Sequence, residues 1–132
     1  MNTGINILIA EDEKNIALAL QAIITKALGN VSITIVKNGE SALDAIFKLN
    51  FQLIISDWNM PKMTGFDLLS ELRSKETTKN IPFLMLTARD DMPSVMSALE
   101  GGATGYLTKP FEKQIVIDRI NQLLGLSPKT IE

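Results

Sequence analysis

Residues 53–69 read LIISDWNMPKMTGFDLL. A short apolar run stops at Ser56-Asp57, a loop with Pro61 follows, and a second apolar run begins after Thr64-Gly65. An apolar run bounded by turn residues suits a strand buried on both faces. The run after Gly65 places Phe66, Leu69 and Leu72 at helical spacing, with Thr64 in position to cap. A buried strand that ends on a carboxylate has two readings. Asp57 either caps a turn, as aspartate does often, or is a reactive group at the mouth of a fold. The neighbouring stretches decide between them.

Working outward, the strand-then-helix pattern recurs. Ile5–Ile9 is a β-branched run, and Ile16, Leu20, Ile23, Ile24 and Ala27 then follow a helical stripe ending near Gly29-Asn30. Val31, Ile33 and Ile35 alternate with polar residues, which predicts a half-exposed strand. Asn38-Gly39 leads into a helix with Ala42, Ala45, Ile46 and Leu49. Leu53–Ser56 is the third strand and Phe83–Leu86 the fourth. A helix from about Asp91–Pro93 to Gly101-Gly102 follows, then a strand over Thr104–Leu107. The last helix carries Ile115, Val116, Ile120, Leu123 and Leu124. Met92 and Met96, one turn apart, suit either an adaptable binding surface or the core, and core filling is the preferred reading. Five β-α units in sequence predict an α/β fold, a parallel sheet with helices on both faces.

The chain has 132 residues, which suits one domain, and 45% are apolar, enough for a packed core. Net charge is −2 with scattered basic residues, so the footprint of a direct nucleic-acid binder is missing. No apolar run approaches the roughly 20 residues of a membrane span, and the first residues lack a signal-peptide pattern. No membrane insertion is expected. The absence of cysteine is compatible with the cytoplasm, the expected location. There is no histidine either, which removes imidazole as base or metal ligand and leaves oxygen ligands for hard cations.

In open α/β sheets, sites form beyond the carboxyl ends of the strands. Glu11, Asp12 and Glu13 follow the first strand, Asp57 ends the third, Thr87 ends the fourth and Lys109 follows the fifth. The second strand ends in Lys37-Asn38 and offers no comparable group. Each residue alone has an ordinary explanation: Glu11-Asp12 a solvated loop, Thr87 a strand-end hydroxyl, Lys109-Pro110 a turn. Four strand ends delivering polar groups to one end of the sheet is the informative coincidence. Carboxylates sharing a cleft repel and need cations, and Lys109 and Mg²⁺ (with Mn²⁺ as an alternative) suit that need. A carboxylate beside such cations can act as a nucleophile toward a phosphoryl group.

The motifs ILIAEDE, SDWNMPKMTG, LMLTA and GYLTKPF, with their spacing, resemble the receiver domains of two-component response regulators, particularly the stand-alone chemotaxis type. The resemblance covers Ile5 to about Leu124. It implies a flavodoxin-like (CheY-like) doubly wound (βα)5 fold with strand order 2-1-3-4-5, a receiver over residues 1–127, a short tail at 128–132 and no output domain. It implies that Asp57 is the phosphoacceptor. Glu11, Asp12, Asp57 and the backbone carbonyl of Asn59 would form the metal site. Lys109 would pair with the phosphoryl group and be joined to Pro110 by a cis bond, and Thr87 and Tyr106 would act as a switch pair.

The implied activity is signalling and not a classical enzyme's turnover. The implied partners are a sensor histidine kinase or histidine phosphotransfer protein and a downstream target, with the chain a monomer or a weak, phosphorylation-dependent dimer. Glu11 stands where the family commonly has aspartate. Asn59 and Arg89 fall at positions that tune dephosphorylation in the family. Tyr106 alone would be read as a core aromatic, and Phe111 is expected to pack the last helix. Haloacid-dehalogenase-like phosphatases place their nucleophile after the first strand and need a cap segment. Flavodoxin-like FMN binders want a hydroxyl- and glycine-rich loop where this chain has Glu11-Asp12-Glu13. A degenerate scaffold receiver is disfavoured because all the chemical groups are present.

Overall fold

A computed structural model of the chain describes residues 4–88 and 92–126. The elements run β1 (Ile5–Ala10), α1 (Lys14–Leu28), β2 (Val31–Val36), α2 (Gly39–Lys48), β3 (Leu53–Asp57), α3 (Gly65–Arg73), β4 (Phe83–Thr87), α4 (Met92–Glu100), β5 (Gly105–Thr108) and α5 (Lys113–Leu124). The five strands form one sheet in the order β2-β1-β3-β4-β5, and every pairing is parallel.

Alternation along the strands sorts the core into two layers. Leu8, Ala10, Ile54, Phe83 and Met85 face α2 and α3, where Ala42, Ile46, Leu68, Leu69 and Leu72 are buried, and Ala98 of α4 joins them. Ile7, Ile9, Leu53, Ile55, Leu84 and Leu86 face α1 and α5, packing on Ala17, Leu20, Ile24, Val116 and Ile120. A strand covered on both faces cannot alternate apolar with polar, so β1, β3 and β4 carry continuous apolar runs. β2, at one edge, is only partly buried, matching its mixed sequence.

Local signals set the helix ends. Asn38 caps α2 by accepting from Ser41 N at 2.8 Å, and Thr64 caps α3 by accepting from Asp67 N at 3.1 Å. Gly29, at φ 78° and ψ −74°, ends α1 in a tight turn closed by Asn30 N donating to Leu28 O at 2.9 Å. β3 and β4 each run one residue further than the sequence suggests, so Asp57 and Thr87 are the last strand residues. β5 is shifted one residue later, to Gly105–Thr108.

The expected core role of Met92 and Met96 is wrong: they are 67% and 46% exposed. α4 sits on the sheet through the small Ala98, which turns the two long side chains outward. Phe111 packs against the α1–α5 layer as expected. Arg89, Asp91 and the tail beyond Leu126 lie outside the described residues.

Candidate functional site

The chain passes from β1 outward to β2, then crosses back to β3 on the other side of β1. That reversal opens a crevice at the carboxyl ends of β1 and β3. Glu11 leaves β1 with its backbone N–H donating to Val36 O at 2.9 Å, and its side chain is buried. Asp57 ends β3, also buried, while Asp12 is exposed. Carboxylate oxygens of Glu11, Asp12 and Asp57 lie within 4.8 Å of one another.

Lys109 enters from beyond β5. Its backbone N–H donates to Thr87 O at 2.8 Å, which ties the ends of β4 and β5 together, and its bond to Pro110 is cis. The ammonium, 16% exposed, lies 3.1 Å from Glu11 Oε1, 3.2 Å from Asp57 Oδ1 and 3.6 Å from Glu13 Oε1. Thr87 is buried at the end of β4, next to Leu86, whose Cα pairs with that of Asp57. Tyr106 is half-buried on β5 against the α2–α3–α4 layer, and Asn59 is exposed in the loop after β3.

The loop between Asp57 and α3 is tightly built. Trp58 N donates to Leu86 O and Gly65 N to Trp58 O, while Ser56 Oγ donates to Asp57 O at 3.0 Å. A Cβ at Gly65 would collide with the Asp57 carbonyl, so only glycine fits there. Trp58 stacks on Phe66 with ring centroids 5.7 Å apart. Lys62 holds φ 72°, and Met63 N donates to Pro61 O at 2.8 Å, a γ-turn of the strained hand.

Charge in the crevice is unbalanced. Burial pushes the Asp57 carboxyl above its ordinary range, Lys109 pulls it back, and Asp12 adds to the rise. Glu11 is raised chiefly by burial and further by Asp57, against the Glu13 N–H that donates to its Oε2 at 3.0 Å. Burial alone would lower Lys109, but Glu11 and Asp57 outweigh it and hold the ammonium above its ordinary value. Glu11 Oε1 is buried and, although Lys109 is near, has no aligned hydrogen bond. An under-satisfied buried carboxylate oxygen beside two further carboxylates is the donor set of a hard divalent cation. The residues therefore fit Mg²⁺.

Glu11, Asp12, Asp57 and Lys109, expected at one end of the sheet, do meet in one crevice, and two further contacts there have no local sequence signal. Glu13 was counted among the acids after β1 without its reach to Lys109. Ser56, next to the key aspartate, was not singled out as a hydrogen-bond donor to the backbone of Asp57. The signal for Glu13 lay in its position one residue before α1, with a lysine arriving from β5. No local pattern shows that pairing.

Fold and site together define a flavodoxin-like, CheY-like doubly wound domain with an acidic crevice at its switch point. The profile of the response regulator receiver domain matches residues 7–121, and the chain belongs to that family of two-component signalling domains. The chain is 33% identical to the chemotaxis protein CheY of Pseudomonas aeruginosa over 89% of its length and 94% of the relative's. Among solved structures it resembles the chemotaxis response regulator CheY4 of Vibrio cholerae, with TM-score 0.84, 30% identity, and coverage of 92% of this chain and 99% of that one. It also resembles the receiver domain of the sensor histidine kinase PA1611 from Pseudomonas aeruginosa, with TM-score 0.83, 25% identity, and coverage of 93% and 99%. That structure holds a magnesium ion in its active-site cleft. Among the described residues, no helix is long and apolar enough to cross a membrane.

Proposed function

We propose that this receiver accepts a phosphoryl group on Asp57 from a sensor histidine kinase or a histidine phosphotransfer protein. In this step a carboxylate oxygen of Asp57 attacks phosphorus, the bond from phosphorus to the donor's imidazole nitrogen breaks, and an acyl phosphate remains on Asp57. With no histidine in the chain, the donor imidazole belongs to the partner. One observation carries the reading: a single ammonium, Lys109, lies within 3.2 Å of both the Glu11 and Asp57 carboxylates. That places a cation where oxygens of the transferring group gather negative charge.

Glu11, Asp12, Asp57 and the Asn59 carbonyl would hold Mg²⁺ (Mn²⁺ substituting), as the resemblance to a magnesium-bound receiver supports. When bound, the ion supplies charge neutralisation and a fixed oxygen geometry for the phosphoryl group. Lys109 then exchanges its Asp57 contact for a phosphoryl oxygen. The Thr87 hydroxyl turns toward that group, and Tyr106, half-buried on the neighbouring strand β5, follows inward. Val95 of α4, Tyr106 of β5 and Ile115 and Arg119 of α5 line a groove of about 500 Å³. A change there is what a downstream target reads. Phosphorylation moves this equilibrium only as far as the phosphorylated site favours one state over the other. Asn59 and Arg89 would tune how long the acyl phosphate lasts.

Incubation with acetyl phosphate and Mg²⁺ should add about 80 Da, one phosphoryl group, by intact mass. EDTA or Asp57→Asn should abolish the adduct. An adduct that persists in Asp57→Asn, or none in the wild type, defeats the reading.

A further inference from the structure

Glu13 stands at the N-cap of α1, where a side chain ordinarily bonds the free N–H groups of the first turn. It makes no such bond. Its carboxylate, 64% exposed, lies instead 3.6 Å from Lys109 Nζ, 96 positions further along the chain. Lys109 Nζ is also 3.2 Å from Asp57 Oδ1, so the Glu13 and Asp57 oxygens are no further apart than those two legs laid end to end. Glu13 belongs to the lysine side of the crevice; the mutually close carboxylates are those of Glu11, Asp12 and Asp57. Glu11 and Asp57 are buried and committed, so among the described residues Glu13 is the solvent-facing acid paired with the ammonium.

We propose that Glu13 is a specificity-determining residue for the phosphoryl donor. It shares Lys109 in the resting site and sets an electrostatic barrier that grows with the donor's negative charge. This rests on Asp57 being the phosphoacceptor. An anionic donor approaching Asp57 passes a fixed negative charge within reach of the ammonium it needs, and each unit of donor charge adds to the repulsion. A donor phosphorylated on imidazole, presented by a protein surface that supplies a cation to Glu13, escapes the barrier. Small dianionic metabolites do not. The residue thus filters protein donors from free acyl phosphates.

The test compares wild type, Glu13→Gln and Glu76→Gln. Glu76→Gln changes net charge equally but lies at the opposite end of the sheet, near Ile5 and Leu126. Labelling of Asp57 is followed by intact mass at saturating Mg²⁺, with acetyl phosphate (two negative charges) and phosphoramidate (one). At low salt, Glu13→Gln should label about threefold faster with acetyl phosphate and less than about twofold faster with phosphoramidate. In 0.5 M NaCl both gains should shrink below about 1.5-fold. Glu76→Gln should match the wild type. Mg²⁺ affinity, read from the fluorescence of Trp58 beside Asp57, should change by less than about threefold in Glu13→Gln.

Equal rates for Glu13→Gln and wild type at low salt overturn the proposal. So does a gain that is the same for both donors, or one shared by Glu76→Gln. A loss of Mg²⁺ affinity of about tenfold or more would make Glu13 part of the metal site and overturn it too. No label on wild-type Asp57 defeats the phosphoacceptor reading itself, and this one falls with it.

Discussion

Lys62 is a non-glycine residue held at φ 72° within two positions of the loop's proline and three of α3. A side chain in that region crowds its own backbone, at a cost of roughly 1–2 kcal/mol. The strain persists because the loop is pinned at both ends, by Trp58 N to Leu86 O and by Gly65 N to Trp58 O. Relieving it should stabilise the chain: Lys62→Gly is expected to raise stability by about 0.5–1 kcal/mol, net of glycine's greater freedom when unfolded. That corresponds to a rise in Tm of about 2–5 °C. Lys62→Val, stiff at Cβ, should lower Tm. A melt in which Lys62→Gly is no more stable than wild type would show that the turn carries no strain. Nothing in the MPKMT stretch signals the turn, since lysine is no marker for positive φ. Asp57 was easier to read, because the residue that ends a central strand's apolar run stands at the sheet's carboxyl edge.

Among the elements, α3 and α4 are nine residues each and differ sharply in anchorage. α3 buries Leu68, Leu69 and Leu72, whereas α4 buries only Ala98. Among the described residues, a further tie lies just beyond the C-terminal end of α4. Arg73 Nε donates to Gly102 O at 2.9 Å, and Nη1 of the same residue reaches Thr78 O at 3.4 Å. Burial lowers the Arg73 pKa, without threatening a charge that arginine keeps at any ordinary pH. Local opening follows buried apolar contact. The amides of α4 are therefore expected to exchange with deuterium at least about tenfold faster than those of α3, with protection rising toward Ala98. Uniform protection across the two helices would refute the difference. End signals, Pro93 and Gly101-Gly102, located α4, but the preference for Met92 and Met96 in the core misplaced its inner face. Hydropathy weights Met92 and Met96 above a single alanine, while the residue this helix buries is Ala98. The half-exposed β2 and the Thr64 cap were legible because each rests on a local pattern, whereas Asn38 reads in sequence only as a turn and proves to be the cap of α2.

At the scale of the whole molecule, the crevice is a cost to folding. The Asp57 carboxyl, raised by burial, binds its proton more tightly folded than unfolded. The folded chain is therefore destabilised above the folded pKa. The penalty fades as pH falls through that value toward the unfolded one, near 3.9. Glu11 is raised by burial in the same direction. In EDTA, Asp57→Asn should accordingly raise the urea midpoint at pH 7, with the gain gone below about pH 4. An Asn variant less stable than wild type at pH 7 would mean that the pairing with Lys109 outweighs burial. The parallel layout was legible from the alternation of strands and helices, and the convergence of Glu11, Asp57 and Lys109 from the strand ends. The division of one ammonium among three acids was not, because it depends on side-chain reach between elements distant in the chain.

The exposed edge of the sheet has a consequence for how the protein survives in solution. β2 is VSITIV: six residues, four of them valine or isoleucine, with no charge and no proline. It forms an outer edge of the sheet, paired only with β1 among the described residues. Such a segment carries the signature of a self-templating strand. In the native state its register with β1 and the cover of α1 keep it in place. Once heat or acid separates it, Lys37 is the one adjoining charge left to oppose stacking. β2 is thus an aggregation hazard borne by a strand that contributes no group to the crevice.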